Sequence, residues 1–190
     1  MEGRPSDDQL LVRRAREGDR DAFAALLRAH QIDARGLARL LCGDDGDDAT
    51  QEAFVKSWSA LHSYRGDAPF RSWLLRIVAN EARNRRRAAG RRRVYELRTA
   101  EDRAMGGAAP SPEVAVLARE RATTLIKAVD ALPDALREVV VCRHLMGLTE
   151  AEAADVLMIP AGTVKSRLSR ALDQLRAALT ESVDARDHDG

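Results

Sequence analysis

Aromatic rings are scarce in this chain of 190 residues, at 4% of the composition. With so few, each of Phe23, Phe54, Trp58, Tyr64, Phe70 and Trp73 is worth locating, and all of these lie in the N-terminal half. There are two cysteines, Cys42 and Cys142, far apart and outside any Cys-x-x-Cys or Cys/His cluster. Local spacing therefore builds no zinc site, and buried, reduced thiols are the expectation. The N-terminus lacks the apolar core of a signal peptide, and no stretch approaches the ~18 apolar residues of a membrane span. These absences predict a soluble cytoplasmic protein without membrane insertion. Alternating apolar patterns and long β-branched runs are also missing, which argues against sheets. Charge of one sign is not in excess: 31 Lys and Arg face 30 Asp and Glu, a net charge of +1.

Hydrophobic residues make up 45% of the chain, enough for packed cores, and charged residues 32%. Ala, Leu, Arg and Glu dominate, and all are strong helix formers. The expected fold is all-α: two small helical domains joined by a flexible linker, the second carrying a helix-turn-helix. The balanced charge is polarised along the chain. Asp44, Asp45, Asp47, Asp48 and Glu52 form an acidic cluster, while Arg83, Arg85, Arg86, Arg87, Arg91, Arg92 and Arg93 form a basic run with no interleaved acid. Such a chain can present one face to DNA and another to a protein.

Ser6-Asp7-Asp8-Gln9 has capping-box spacing and predicts a helix start, with Leu10, Leu11 and Ala15 on the apolar face. Gly18 is placed as a stop, and Asp19 or Asp21 as the next start. Phe23, Leu26, Leu27, Leu37, Leu40 and Leu41 continue with helical spacing. Cys42 to Gly46 reads as a turn, after which Asp47 or Asp48 can cap a helix carrying Ala49, Ala53, Phe54, Ser57, Trp58 and Leu61. Tyr64 to Pro69 is a loop by its Gly and Pro content. A helix from about Phe70 into the arginine run buries Trp73, Leu74, Ile77 and Val78; Phe70, Trp58 and Trp73 read as core. From Gly90 to Pro112 the pattern breaks down into linker composition. The expected organisation is a domain over 1–90, a linker over 91–112, a second domain over 113–183 and a disordered tail over 184–190. Val114, Leu117, Ala118, Leu125, Val129 and Leu132 open the second block. Pro133 suits the first turn of a helix bearing Leu136, Val139, Val140 and Leu145, ended by Gly147.

The most informative segment follows. Thr149 to Glu152 has capping-box spacing, and a short apolar helix carries Ala153, Ala154, Val156 and Leu157. A turn at Met158-Ile159-Pro160 then leads into a long helix from Gly162 to about Leu179. Val164, Leu168, Leu172 and Leu175 share one face of it. Thr163, Lys165, Ser166, Arg167, Ser169 and Arg170 occupy the rest near the N-terminal end, the end that a recognition helix pushes into the major groove. Arginine grips guanine O6 and N7 with two hydrogen bonds, and lysine and serine suit phosphates or base edges.

Thr149 through Arg170, above all Ala161-Gly162-Thr163-Val164-Lys165-Ser166-Arg167-Leu168, resembles the C-terminal recognition domain of extracytoplasmic-function (ECF) sigma factors. Asp48 through Trp58 resembles the helix those proteins press on the polymerase clamp. Tyr64-Arg65-Gly66-Asp67 with Phe70 through Asn80 resembles their promoter-melting segment. The resemblance covers nearly the whole chain, in order. It implies a non-enzymatic factor that binds core RNA polymerase and promoter DNA, needs no cofactor or metal, and is held by an anti-sigma factor. It assigns the second block to the −35 element through Thr163, Lys165, Ser166, Arg167, Ser169 and Arg170. It assigns the first to the −10 element and melting through Tyr64, Arg65, Arg76, Asn80, Arg83, Asn84, Arg86 and Arg87. Polymerase contact falls to Asp48, Gln51, Glu52, Phe54 and Lys56. Physical reasoning fits: Tyr64 in a flexible loop can stack on an extruded base, Asn80 offers a bidentate amide, and each phosphate held by the arginine run contributes about one unit of salt slope.

Met158 departs from the family pattern, which favours glycine at the helix-turn-helix turn. A bulky residue at positive φ is disfavoured by roughly 1 kcal/mol, so either the turn is distorted or Met158 compensates by packing. A linker of about twenty residues spans only ~25 Å as a coil, whereas elements one to two DNA turns apart lie ~35–70 Å from each other. Polymerase must therefore set the spacing. Two other readings stay open: a dimeric helix-turn-helix regulator and a DNA recombinase. The first lacks a ligand-pocket or phospho-acceptor pattern. The second lacks a supported nucleophile, since Ser57, Ser59, Ser63 and Ser72 have no local His or Asp partners. A Mg²⁺ nuclease site at the acidic cluster is disfavoured, with no histidine or catalytic lysine nearby.

Overall fold

Helix formers, capping residues and glycine stops place the element ends. The computed structural model describes residues 5–97 and 124–187, and among these there is no strand. Helix α1 spans Pro5–Arg16. It starts at the proline, so Ser6 lies inside the helix rather than at its cap. Gly18 follows at φ 96°, a left-handed conformation that glycine adopts without a Cβ clash. Asp19 then caps α2 (Arg20–Cys42), its carboxylate accepting from the N–H groups of Asp21 and Ala22. The Ala22 N–H and the Arg14 guanidinium hold the Asp19 carboxyl below its ordinary value.

A 3-10 turn over Gly43–Asp45 leads to α3 (Gly46–Ala60). Asp47 and Asp48 sit in the first turn of α3 and cap nothing: Asp45 holds the cap position without a side-chain bond. Gly46 has a packing reason. A Cβ there would stand 2.7–2.8 Å from the Cγ, Cα and N of Arg39, so α2 and α3 meet only because none is present. After a second 3-10 turn (Leu61–Ser63) and the loop to Pro69, α4 spans Phe70–Leu97. It runs beyond position 90 into what reads as linker.

The second block begins, among the described residues, with helix α5 over 124–131. Pro133 occupies the cap position before α6 (Asp134–Val140), one residue outside the helix. A wider π turn, Val141–Leu145, extends α6, and Gly147 closes it at φ 65°. Thr149 and Glu152 form a reciprocal capping box at the start of α7 (Glu150–Leu157). Helix α8 then spans Ala161–Asp187, so residues 184–187, expected as a disordered tail, are helical. The expected linker between 98 and 112, and the apolar positions Val114, Leu117 and Ala118, lie outside the described residues.

Three apolar clusters hold these helices. Val12, Ala15, Phe23, Leu26, Leu61, Phe70, Trp73 and Leu74 form one around the aromatic residues. Val129, Leu132, Leu136, Val140, Ala171 and Leu175 form another between α5, α6 and α8. The largest joins the two blocks: Leu37, Leu41, Leu75, Val78, Ala79 and Ala82 pack with Val139, Val141, Leu148, Val156, Leu157 and Val164. Each fully buried aliphatic side chain contributes about 1.5–3 kcal/mol, so α4 and α7 are held face to face by substantial burial. Some apolar residues expected inside face solvent instead, namely Leu10, Leu125 and Leu145. Trp58, expected as core, is 36% exposed at the edge of the aromatic cluster, its ring 4.9 Å from that of Phe23.

Candidate nucleic-acid interface

Helix α8 is sided as its sequence requires. Val164, Ala171 and Leu175 are buried, with Leu168 and Leu172 partly so. Lys165, Ser166, Ser169 and Arg170 are exposed, and Thr163 and Arg167 partly exposed. Pro160 starts the helix by accepting from the N–H groups of Thr163 and Val164, and Ser166 donates to the Thr163 carbonyl. Five polar or basic side chains from Lys165 to Arg170 thus stand along the first turns of a helix whose other face is anchored.

The turn before α8 is regular, and Met158 shows how. It adopts the left-handed conformation, φ 55° and ψ 47°, with its N–H donating to the Ala154 carbonyl. Its side chain is 64% exposed, so packing does not compensate for the strain. The Glu152 carboxyl is held below its ordinary 4.5 by the N–H and then the hydroxyl of Thr149.

Helix α4 divides the expected DNA residues between two faces. Asn80, Asn84 and Arg87 are exposed, with Arg76 partly so, at three- and four-residue spacing along one stripe. Arg83 and Arg86 turn toward the second block. Arg83 donates from Nε and Nη2 to the two carboxylate oxygens of Glu138 at 2.7 and 3.0 Å. The two side chains are only 16% and 11% exposed. Arg86 donates to Asp134 Oδ1 at 3.1 Å and to the Asp130 carbonyl at 3.3 Å. Burial works to raise the Asp134 carboxyl, but Arg137 and then Arg86 prevail and hold it below its ordinary value. The two acidic partners, Asp134 and Glu138, escape sequence reasoning, although they stand one helical turn apart on α6, a spacing that matches the arginines opposite.

Tyr64, expected free for stacking, is partly buried. Its hydroxyl donates to the Ala68 carbonyl at 2.6 Å, and its ring meets Phe70 and Trp73 at centroid distances of 5.9 and 5.2 Å. Burial raises its phenol above the ordinary value. Arg65 beside it is exposed.

On α3, Asp48, Gln51, Glu52 and Lys56 are exposed, whereas Phe54 turns inward against two clusters. Asp48 accepts from Arg85 at 3.2 Å, and Asp47 from Arg39 at 2.8 Å. Lys56 bridges Glu81 at 2.7 Å and Glu52 at 3.4 Å; the Glu81 bond raises its ammonium above the ordinary value. Val55, 65% exposed, and Trp58 continue the stripe from Gln51. Sequence reasoning missed Val55 as surface, though its spacing from Gln51 and Trp58 carries the signal. Both thiols are shielded: burial pushes Cys42 up to about 11 and Cys142 up to about 12.

This geometry is that of an all-helical protein, among its described residues, with a helix-turn-helix whose second helix carries an exposed basic face. Two family models match the chain: Sigma-70 region 2 over residues 26–92, and Sigma-70, region 4 over 128–177. The ECF RNA polymerase sigma-E factor of Escherichia coli K12 is 37% identical over 175 residues, covering 88% of this chain and 92% of that protein. The RNA polymerase sigma-H factor of Pseudomonas aeruginosa is 38% identical over 180 residues, covering 90% and 93%. Among solved structures, CnrH in complex with the cytosolic domain of CnrY superposes with a TM-score of 0.67 at 29% identity, over 92% of this chain and 98% of that one. The sigma factor RpoE from Bartonella quintana, in complex with the anti-sigma factor NepR, superposes at 0.63 and 25% identity, over 83% and 96%. The chain belongs to the ECF sigma factors, non-enzymatic proteins that direct core RNA polymerase to promoters.

Proposed function

We propose that α8 reads the −35 element. Lys165, Ser166, Arg167, Ser169 and Arg170 line the major groove there, and Thr163 meets the backbone at the helix start. The observation that carries this reading is the exposed basic N-terminal half of α8 mounted on a buried apolar face. The exposed stripe Arg76, Asn80, Asn84 and Arg87, with Arg65 on the neighbouring loop, serves the −10 element. Arg83 and Arg86 join it once freed from their carboxylates, and Tyr64 once its loop opens. Asp48, Gln51, Glu52 and Lys56 meet polymerase on α3, with Phe54 supporting that face from within. An anti-sigma factor is a further partner, supported by the relative solved with one. The cytoplasm is the site of action. No described helix is long and apolar enough to cross a membrane.

The test is selection of duplexes from a randomised pool by the holoenzyme formed with core polymerase, comparing wild type with Arg167→Ala. The −35 consensus relaxes at one or two positions in the variant while the −10 consensus is kept. An unchanged −35 consensus contradicts the assignment.

A further inference from the structure

Two of the arginines assigned to promoter phosphates already hold anionic partners. Arg83 and Arg86 lie about one turn apart on α4, and Glu138 and Asp134 about one turn apart on α6, so the two pairs form in register. The Arg83–Glu138 pair is bidentate, the geometry by which a guanidinium also grips a phosphate. Arg83 further reaches the Leu157 carbonyl at 3.5 Å, at the end of α7. Beneath these pairs the apolar cluster is continuous from Val78, Ala79 and Ala82 to Val139, Val156 and Leu157. The contact is therefore a built surface, with apolar burial below and matched charges above. Exposed ion pairs contribute little, but Arg83 and Glu138 are largely withdrawn from water, where loss of one partner is strongly felt.

We propose that Glu138 and Asp134 form an internal latch: in the free protein they occupy Arg83 and Arg86 in place of promoter phosphates, so that DNA engages this face of α4 only after α6 and α7 leave it. The inference rests on the reading of Arg83 and Arg86 as phosphate-binding residues. It has an asymmetric consequence. The latch covers Arg83 and Arg86 and leaves the rest open, because Asn80, Asn84 and Arg87 on α4 and Lys165, Ser166, Ser169 and Arg170 on α8 stay exposed in the closed form. A contact made only in the open form is weakened by the open fraction, so the latch suppresses phosphate binding by Arg83 and Arg86 and spares binding through the exposed stripe of α4 and through α8.

The full chain tests this with Glu138→Gln/Asp134→Asn in a Cys42→Ser background. Cys142 is completely buried in the shared cluster, and its alkylation by iodoacetamide reports parting of the two halves. Binding of a short random-sequence duplex at several salt concentrations reports phosphate contact. The expected result is alkylation about tenfold faster and duplex binding about tenfold tighter, with a salt slope steeper by about 2 units for two added phosphate contacts. Wild-type alkylation in the variant overturns the latch. Faster alkylation with unchanged affinity and slope shows that the halves part but that Arg83 and Arg86 do not bind phosphate, which overturns the assignment on which the latch rests. Should the neutral variant unfold, the exchanged pair decides: Arg83→Glu exposes Cys142, and Arg83→Glu/Glu138→Arg protects it again. Failure of the exchanged pair to restore protection refutes the latch.

Discussion

Helices α4 and α8 are both rich in arginine and both were expected to hold DNA, yet they present their charge differently. The basic residues of α8 stand on one face of a helix whose other face is wholly apolar, so the charge has nowhere to go but solvent. The arginines of α4 follow each other almost without interruption, and a run of consecutive residues wraps right round a helix. Arg87 therefore faces out while Arg83 and Arg86 face the second block. A patterned basic face is a surface, whereas an unpatterned basic run is divided by whatever packs against it.

The largest expected effect separates the two faces of α4. Arg83→Met leaves Glu138 buried and unpaired, and urea denaturation should show a loss of about 3–5 kcal/mol. Arg87→Met, on the open face, should stay within about 0.5 kcal/mol. Equal losses would erase the distinction. Next is α8: Arg167→Ala should weaken binding of a −35 duplex by about 1–3 kcal/mol, read by fluorescence anisotropy, with no change in melting temperature. Smaller effects concern what holds α8 in place. Thr149→Ala removes the capping box and should lower stability by about 1 kcal/mol. The Glu152 carboxyl is depressed in the fold, so its contribution is complete above its ordinary value of 4.5 and fades as pH falls through the lower folded value. The difference between wild type and Thr149→Ala should accordingly shrink in acid titrations. Met158→Gly relieves the left-handed strain and should raise stability by about 1 kcal/mol, since an exposed side chain leaves little packing to lose.

Much of the fold was legible because local chemistry decided it. Gly18, Asp19, Gly147 and the Thr149–Glu152 box act within a few residues of themselves, and the structure places each where its chemistry suggests. Trp73 and Val164 follow helical periodicity into the core. What escaped depends on partners remote in sequence. Tyr64 looked free in its loop, but Phe70, Trp73 and the Ala68 carbonyl capture it. Phe54 lay within a segment resembling a contact helix, yet it points inward between two clusters. Linker length says nothing of how the two blocks pack, and apolar faces of α4 and α7, one from each block, meet in the largest cluster. Nothing in either block alone announces that meeting except the four-residue spacing of Asp134 and Glu138 on α6.

Run-off transcription with purified core polymerase and a library of promoter fragments tests most directly whether this chain directs initiation. Specific transcripts are predicted only when this chain and core polymerase are both present, with output reduced about fivefold or more by Arg167→Ala. Absence of polymerase-dependent initiation from any fragment, with folded wild-type protein, would contradict that role.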